Sequence, residues 1–152
     1  MKEIDNINDI LVFAIDREIR ANRFYVSLAE RMANPNMKEL FLALAADEID
    51  HKERLEFELI KRGQTVAADD FDEEYDEDEL PMIGTPGGLV MDYKAAIEMV
   101  IQKEKVSFRL YADFASRAQD HDSKEMLYDL AEEELKHKMR FEHEYQQFTQ
   151  TD

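Results

Sequence analysis

Two short motifs in this sequence combine side chains that bind metal ions, Glu48-Ile49-Asp50-His51 and Glu134-Leu135-Lys136-His137. In each, a carboxylate and an imidazole stand at i and i+3, a spacing that puts both on one face of a helix. The second motif follows the first by 86 residues. The same shift superimposes Glu18 on Glu104, Arg23 on Arg109, Tyr25 on Tyr111, Ala29 on Ala115, Leu44 on Leu130 and Ala45 on Ala131, with no gap from Ile15 to Glu58. The chain therefore reads as two copies of one helical hairpin, each offering Glu, Glu and His. A lone Glu-x-x-His is most often a solvated surface pair. Two copies, each on an apolar stripe and each accompanied by an in-register glutamate, point instead to a site.

The chemistry of such a site follows from charge. Four carboxylates in an apolar core would repel one another and lose hydration at a cost of several kcal/mol per ion. Two divalent cations cancel four negative charges, and two histidines can bind them as neutral imidazoles. The sequence has no cysteine, which removes disulfides, thiolate zinc sites, iron–sulfur centres and thiol catalysis together. Oxygen-rich ligation with two nitrogens suits iron or manganese, whereas zinc usually recruits more nitrogen or sulfur.

Helices must position these groups. The 152 residues are rich in Ala, Leu, Met, Glu and Lys, while Gly and Pro are scarce and lie mostly in one stretch, the profile of a single, mainly helical domain. Apolar side chains at Ile7, Leu11, Ile15, Tyr25 and Leu28 or Ala29 give helical periodicity from Asn6 to about Met32, with Glu18 inside the stripe. Asn34-Pro35-Asn36 marks a turn, and Asn36 with Glu39 resembles a capping box that Asp122 and Glu125 repeat. The second helix should run to about Arg62 and stop at Gly63, with the inward stripe Phe41, Leu44, Ala45, Glu48, His51, Leu55 and Leu59. A third helix should start near Asp92 with the stripe Ile97, Ile101, Glu104, Phe108, Tyr111 and Ala115. A fourth, after Asp122, has Leu127, Leu130, Ala131, Glu134, His137, Phe141 and Tyr145. The expected organisation is one domain over 1–152, with hairpins at 6–62 and 92–148 and a linker over 64–91 whose run 69–79 is acidic.

Residues equally far from a hairpin turn lie at the same height, since both helices rise by about 1.5 Å per residue. The midpoint of Glu18 and the Glu48/His51 pair falls at Asn34-Pro35, and that of Glu104 and the Glu134/His137 pair near Gln119-Asp120. Both hairpins thus present their polar set at mid-height, and packing them face to face should bring all six side chains together. That arrangement makes the second helix parallel to the third. A helix of about 27 residues is about 40 Å long, so a long crossover is needed between them.

A Glu from each of two helices and Glu-x-x-His from each of two others is the ligand set of ferritin-like di-metal proteins. On these residues the sequence resembles a ferritin-like di-iron protein of the rubrerythrin group, over nearly the whole chain apart from the linker. The resemblance implies an all-α four-helix bundle with a long crossover between helices two and three. It implies a centre of two iron ions, or manganese or a mixed pair, with Glu18 and Glu104 as terminal ligands, Glu48 and Glu134 as bridges, and His51 and His137 each on one metal. It further implies an oxidoreductase that reacts with peroxide or dioxygen while oxidising ferrous iron or an electron donor, served by an electron-donor protein and forming a homodimer. A non-catalytic iron-sequestering protein is the alternative. Some rubrerythrins have a further glutamate one turn from the helix-three ligand, where this sequence has Ile101 and Ser107. With no cysteine, no rubredoxin-like iron module lies within these residues.

The formal charge of -17 argues against nucleic acid and anionic membrane surfaces as partners. No signal-peptide pattern and no membrane-length apolar run is present, which leads to the expectation of a soluble cytoplasmic protein. Tyr25 and Tyr111, two turns from Glu18 and Glu104, are placed either to hydrogen-bond a ligating carboxylate or to fill the core. Asp47 and Glu133 read as exposed carboxylates, His121 and His143 as incidental, and Arg23, Arg31, Arg54, Arg109, Arg117 and Arg140 as surface ion-pairing residues.

Overall fold

A computed structural model describes residues 6–64 and 92–150, with side chains described up to Gln147. The expected linker over 64–91, with its acidic run, lies outside the described residues apart from Gln64. Four α-helices fill the described chain: α1 (Ile7–Glu30), α2 (Pro35–Lys61), α3 (Tyr93–Arg117) and α4 (His121–Gln150). Among the described residues there is no strand. α1 packs on α2 and α3 on α4, and the chain divides into two compact units at Met91/Asp92. The 86-residue repeat is also a structural one, since Ile7 and Tyr93 open the first helix of each hairpin and Pro35 and His121 the second.

The helix ends show why the chain turns where it does. Asn6 caps α1, its side chain accepting from the Asn8 amide at 2.8 Å. Asn34 caps α2 by accepting from the Asn36 and Met37 amides at 2.8 and 3.4 Å, and Pro35 supplies a first residue with φ already helical. Asp120 serves α4 in the same way, its carboxylate accepting from the Ser123 amide at 2.8 Å and the Ser123 hydroxyl at 2.9 Å. The caps thus sit two residues before the expected boxes at Asn36/Glu39 and Asp122/Glu125. Asn36 and Asp122 already lie in the first helical turn, and Glu125 instead meets His121 at 3.3 Å. Asp92 occupies the cap position of α3 without a side-chain cap bond. At the end of α2, Gly63 has φ +77°, and the Gly63 and Gln64 amides donate to Ile60 O and Leu59 O at 2.9 and 3.0 Å. That pair of bonds is a Schellman stop, and the left-handed backbone it needs is one glycine adopts without a Cβ penalty.

The apolar stripes become the buried faces. In the first hairpin Leu11, Ile15, Leu28, Ala29, Phe41 and Leu55 are completely buried, and in the second Ile97, Ala115, Leu127 and Leu130 are. Each such large side chain contributes about 1.5–3 kcal/mol relative to exposure. Five expected stripe members are only half-buried, namely Ile7, Ile101, Phe108, His137 and Tyr145. Ile7 is the first residue of its helix. Phe108 takes the place of Asn22, a half-buried flank in the first hairpin too. Polar ties register the pairs: the Asn22 amide nitrogen donates to Ala45 O at 2.8 Å across α1 and α2. Across α3 and α4, the Tyr145 hydroxyl donates to Glu98 at 2.7 Å and the Tyr93 hydroxyl to Glu144 at 3.4 Å. Among the described residues no helix is long and apolar enough to cross a membrane.

Candidate metal centre

In the first hairpin, α1 supplies Glu18 and α2 supplies Glu48 and His51. Their exposures are 2%, 1% and 1%, so water solvates none of them to a useful degree. His51 Nδ1 lies 3.5 Å from Glu18 Oε2 and 3.9 Å from Glu48 Oε1. The three residues each offer one ligand atom, and these atoms lie within 4.8 Å of one another. The i, i+3 spacing of Glu48 and His51 turns both toward α1, and Glu18 meets them because it stands as far before the turn as they stand after it.

The second hairpin repeats the arrangement. Glu104 from α3 and Glu134 from α4 are buried, and His137 Nδ1 lies 3.6 Å from Glu104 Oε2. Ligand atoms of Glu104, Glu134 and His137 again lie within 4.8 Å of one another. The histidines differ, for the His137 side chain is 15% exposed and that of His51 2%.

These donor sets fit a metal ion. Two donors each about 2.0–2.2 Å from one ion stand about 3–3.5 Å apart at ordinary coordination angles, close to the observed nitrogen–oxygen separations. Two carboxylates per hairpin balance one divalent charge, and the imidazole can bind neutral. All donors are oxygen or nitrogen, which suits iron or manganese.

The other sequence-nominated residues separate clearly. Tyr25 and Tyr111 are both 1% exposed, so neither phenol is a surface group. Asp47 is exposed and Glu133 half-buried. His121 is exposed beside Glu125, and exposed His143 has its Nε2 3.4 Å from the Gln147 amide nitrogen. Of the arginines expected to be ion-pairing, Arg54 and Arg117 pair with Asp50 and Asp113 four residues before them, at 3.8 and 3.0 Å.

One pair of acids was missed. Glu58 is 7% exposed, with Lys61 at 3.1 Å and Arg62 at 3.6 Å, and its repeat counterpart Glu144 accepts from Tyr93. Their signal was in the sequence, since both stand two turns after the histidine of their hairpin and coincide under the 86-residue shift. Burial first, and then the Glu144 charge and hydrogen bond, push the Tyr93 hydroxyl from 10.0 up to about 12, against a smaller opposing effect of Arg140. The hydrogen bond to Glu98 raises Tyr145 as well.

The rubrerythrin family profile matches residues 9–145. Among solved structures, a hypothetical protein from Pyrococcus furiosus is 24% identical, with 93% of this chain and 89% of that one covered and a TM-score of 0.68. A conserved hypothetical protein from Mycobacterium tuberculosis is 16% identical, with coverage of 91% and 89% and a TM-score of 0.69. No functionally curated protein matches the chain. The fold is an all-α ferritin-like four-helix bundle.

Proposed function

The chain belongs to the rubrerythrin family, the match covering its ferritin-like di-iron domain, and from that premise we propose that it is a di-iron oxidoreductase, reducing peroxide or dioxygen while oxidising ferrous iron or an electron donor. The observation that carries this reading is the duplicated triad, Glu18, Glu48 and His51 in one hairpin and Glu104, Glu134 and His137 in the other, buried at every position but the partly exposed His137. With iron as the substrate and peroxide as the oxidant, two ferrous ions, one hydrogen peroxide and two protons yield two ferric ions and two waters.

When bound, the iron pair supplies one-electron redox chemistry and Lewis acidity. The protein's own residues do the rest. Six side chains would hold the ions, offering four carboxylates and two neutral imidazoles, with Glu48 and Glu134 shared between the two ions and Glu18, His51, Glu104 and His137 each serving one. The helices hold these donors on rigid elements, and the apolar residues around them, Ile15 and Leu55 in the first hairpin and Leu130 and Phe141 in the second, are 0–1% exposed and limit water. Tyr25 and Tyr111, buried two turns from Glu18 and Glu104, are assigned to orient carboxylates. An electron-donor protein, a cytoplasmic location and a homodimeric state complete the proposal. The dimer is expected because each hairpin, being repeated, offers a second chain an equivalent surface, and a monomer by light scattering at micromolar concentration would remove it.

The deciding experiment combines metal analysis of protein purified without added metal with oxygen and peroxide consumption in the presence of ferrous iron. Two iron ions per chain and repeated turnover are expected. Stoichiometric uptake without turnover would establish iron sequestration instead, and absence of metal even after anaerobic iron addition would overturn the site.

A further inference from the structure

The first hairpin leaves an apolar face partly open to solvent. The Asn22 amide nitrogen donates to Ala45 O at 2.8 Å, so these two residues meet across α1 and α2. Ile19 and Val26 flank Asn22 at i−3 and i+4, and Leu42 and Ile49 flank Ala45 in the same way, which puts all four on the side of the hairpin that the bond marks. Because the two helices run antiparallel, Ile19 lies level with Ile49 and Val26 with Leu42. Val12 and Ile60 extend the two rows. Leu42 is 41% exposed and Ile60 61%, while Val12, Ile19, Val26 and Ile49 are half-buried. The second hairpin keeps Tyr128 and Leu135 at the places of Leu42 and Ile49, but Glu98 and Lys105 replace Val12 and Ile19 and break the row on its first helix.

We propose that this face binds the same face of a second copy of the chain, so that the first hairpin carries the dimer interface. The proposal rests on the homodimer named above and narrows it to one surface. Two helices about 9 Å apart present a face roughly 20 Å wide, and about 18 residues make it roughly 27 Å long, so pairing buries on the order of 1,100 Å² in total, enough for a specific interface. Charge points to the same occupant. Copies of a chain with a formal charge of -17 repel one another, but beside the apolar rows carboxylates are matched by cations. Arg20 meets Asp16 at 2.9 Å, Lys52 meets Glu56 at 3.1 Å and Arg54 meets Asp50 at 3.8 Å. This balance offers a strongly acidic or basic partner nothing to select. The pattern is also self-complementary. Asp16 and Arg23 stand at i−3 and i+4 from Ile19, and Val12 and Val26 at i−7 and i+7. A twofold axis crossing α1 at Ile19 therefore brings Arg23 of each copy toward Asp16 of the other, and Val12 toward Val26.

The test is analytical ultracentrifugation of the full chain, comparing Leu42→Glu with Tyr128→Glu at the counterpart position. The two sites are 41% and 47% exposed, so neither substitution buries a charge within one chain. The native chain should be dimeric at micromolar concentration. Leu42→Glu should raise the dissociation constant at least roughly tenfold by placing a charge in the contact, and Tyr128→Glu should leave it unchanged. Circular dichroism should show native helicity in both variants. Since the chain has no cysteine, the thiol of Leu42→Cys gives a second reading that stands even where the glutamate variant fails to fold. Its labelling by a maleimide should slow as protein concentration rises, and that of Tyr128→Cys should not. A dimer that Leu42→Glu leaves intact, that both glutamates weaken equally, or whose Leu42→Cys thiol labels at a rate independent of concentration, would overturn the face and leave the homodimer standing. A monomeric native chain would overturn both, and none of these results bears on the metal centre.

Discussion

The two hairpins are one design executed twice, and their differences separate what the chemistry requires from what it tolerates. Shared positions include the two triads, the buried tyrosines Tyr25 and Tyr111, and the small residues Ala29 and Ala115 packed near them. Divergence collects at the edges. A carboxylate at the same place, buried as Glu58 and half-buried as Glu144, is met by Lys61 and Arg62 in the first hairpin and by the Tyr93 phenol in the second. A sealed flank at Ile15 and Leu59 becomes an open groove at Ile101 and Tyr145. Residues whose donor atoms must meet within a few ångströms have one solution, whereas a helix end or flank has several of similar free energy.

The largest expected effect comes from placing charge in the shared core. Leu130 is 0% exposed and its counterpart Leu44 4%. Aspartate at either position buries an unpaired charge and should destabilise by on the order of 4 kcal/mol, read as a drop in the denaturant midpoint. Glu134→Ala and Glu48→Ala should do the reverse, keeping helicity while reducing iron oxidation. Loss of an outer partner of a metal ligand typically costs about 10–100-fold, and loss of the ligand itself should cost at least that. Equal loss of helicity and activity in the leucine and glutamate variants would make the glutamates structural. Retained activity in only one glutamate variant would show that the hairpins are not chemically equivalent.

Much of this was legible in the sequence because it depends on local rules. The stripe of α2 is buried at every expected position, since a 3.6-residue period leaves little choice of face. Gly63 marked the end of α2 because only a left-handed residue closes the Schellman bonds. An Asn cap followed by Pro in the first turn was legible at Asn34-Pro35, but the box patterns Asn36/Glu39 and Asp122/Glu125 lie two residues inside the true caps, because it is Asn34 and Asp120 that reach the free amides. The Tyr93–Glu144 and Tyr145–Glu98 bonds were not legible. They join residues 51 and 47 positions apart, and the tyrosines have Ile7 and Leu59 as counterparts, so neither local periodicity nor the repeat announced them.

The caps offer a smaller and more even comparison. Asn34→Ala and Asp120→Ala each remove a side-chain acceptor from the first turn of the second helix of a hairpin, and each should cost about 1 kcal/mol. Asp120 accepts from both the Ser123 amide and hydroxyl, and Ser123 is 0% exposed. Its loss leaves a buried hydroxyl without that acceptor and should be the costlier of the two by thermal melting. An equal or larger loss at Asn34 would show that the hydroxyl bond adds nothing.

The smallest effect at neutral pH, and the sharpest contrast between hairpins, should come from Tyr93→Phe. The bond it removes is 3.4 Å long, so the loss near neutrality should lie at the low end of the roughly 0.5–1.5 kcal/mol of a typical hydrogen bond. Alkali changes this. Tyr93 ionises at about 12 in the folded chain against an ordinary value of 10.0, so between those values the folded state holds a proton that the unfolded state has released. The unfolded state then binds fewer protons, and stability must fall as pH rises. The phenol's contribution is whole below about pH 10 and is lost as pH passes through about 12. Denaturation midpoints measured across that window should decline less steeply in Tyr93→Phe than in the native chain. The chain has six tyrosines, and the ultraviolet signal of the phenolates should lose a late-titrating component in the variant. Parallel declines in the two proteins, with the late component still present, would mean that the Glu144 carboxylate does not hold the Tyr93 proton.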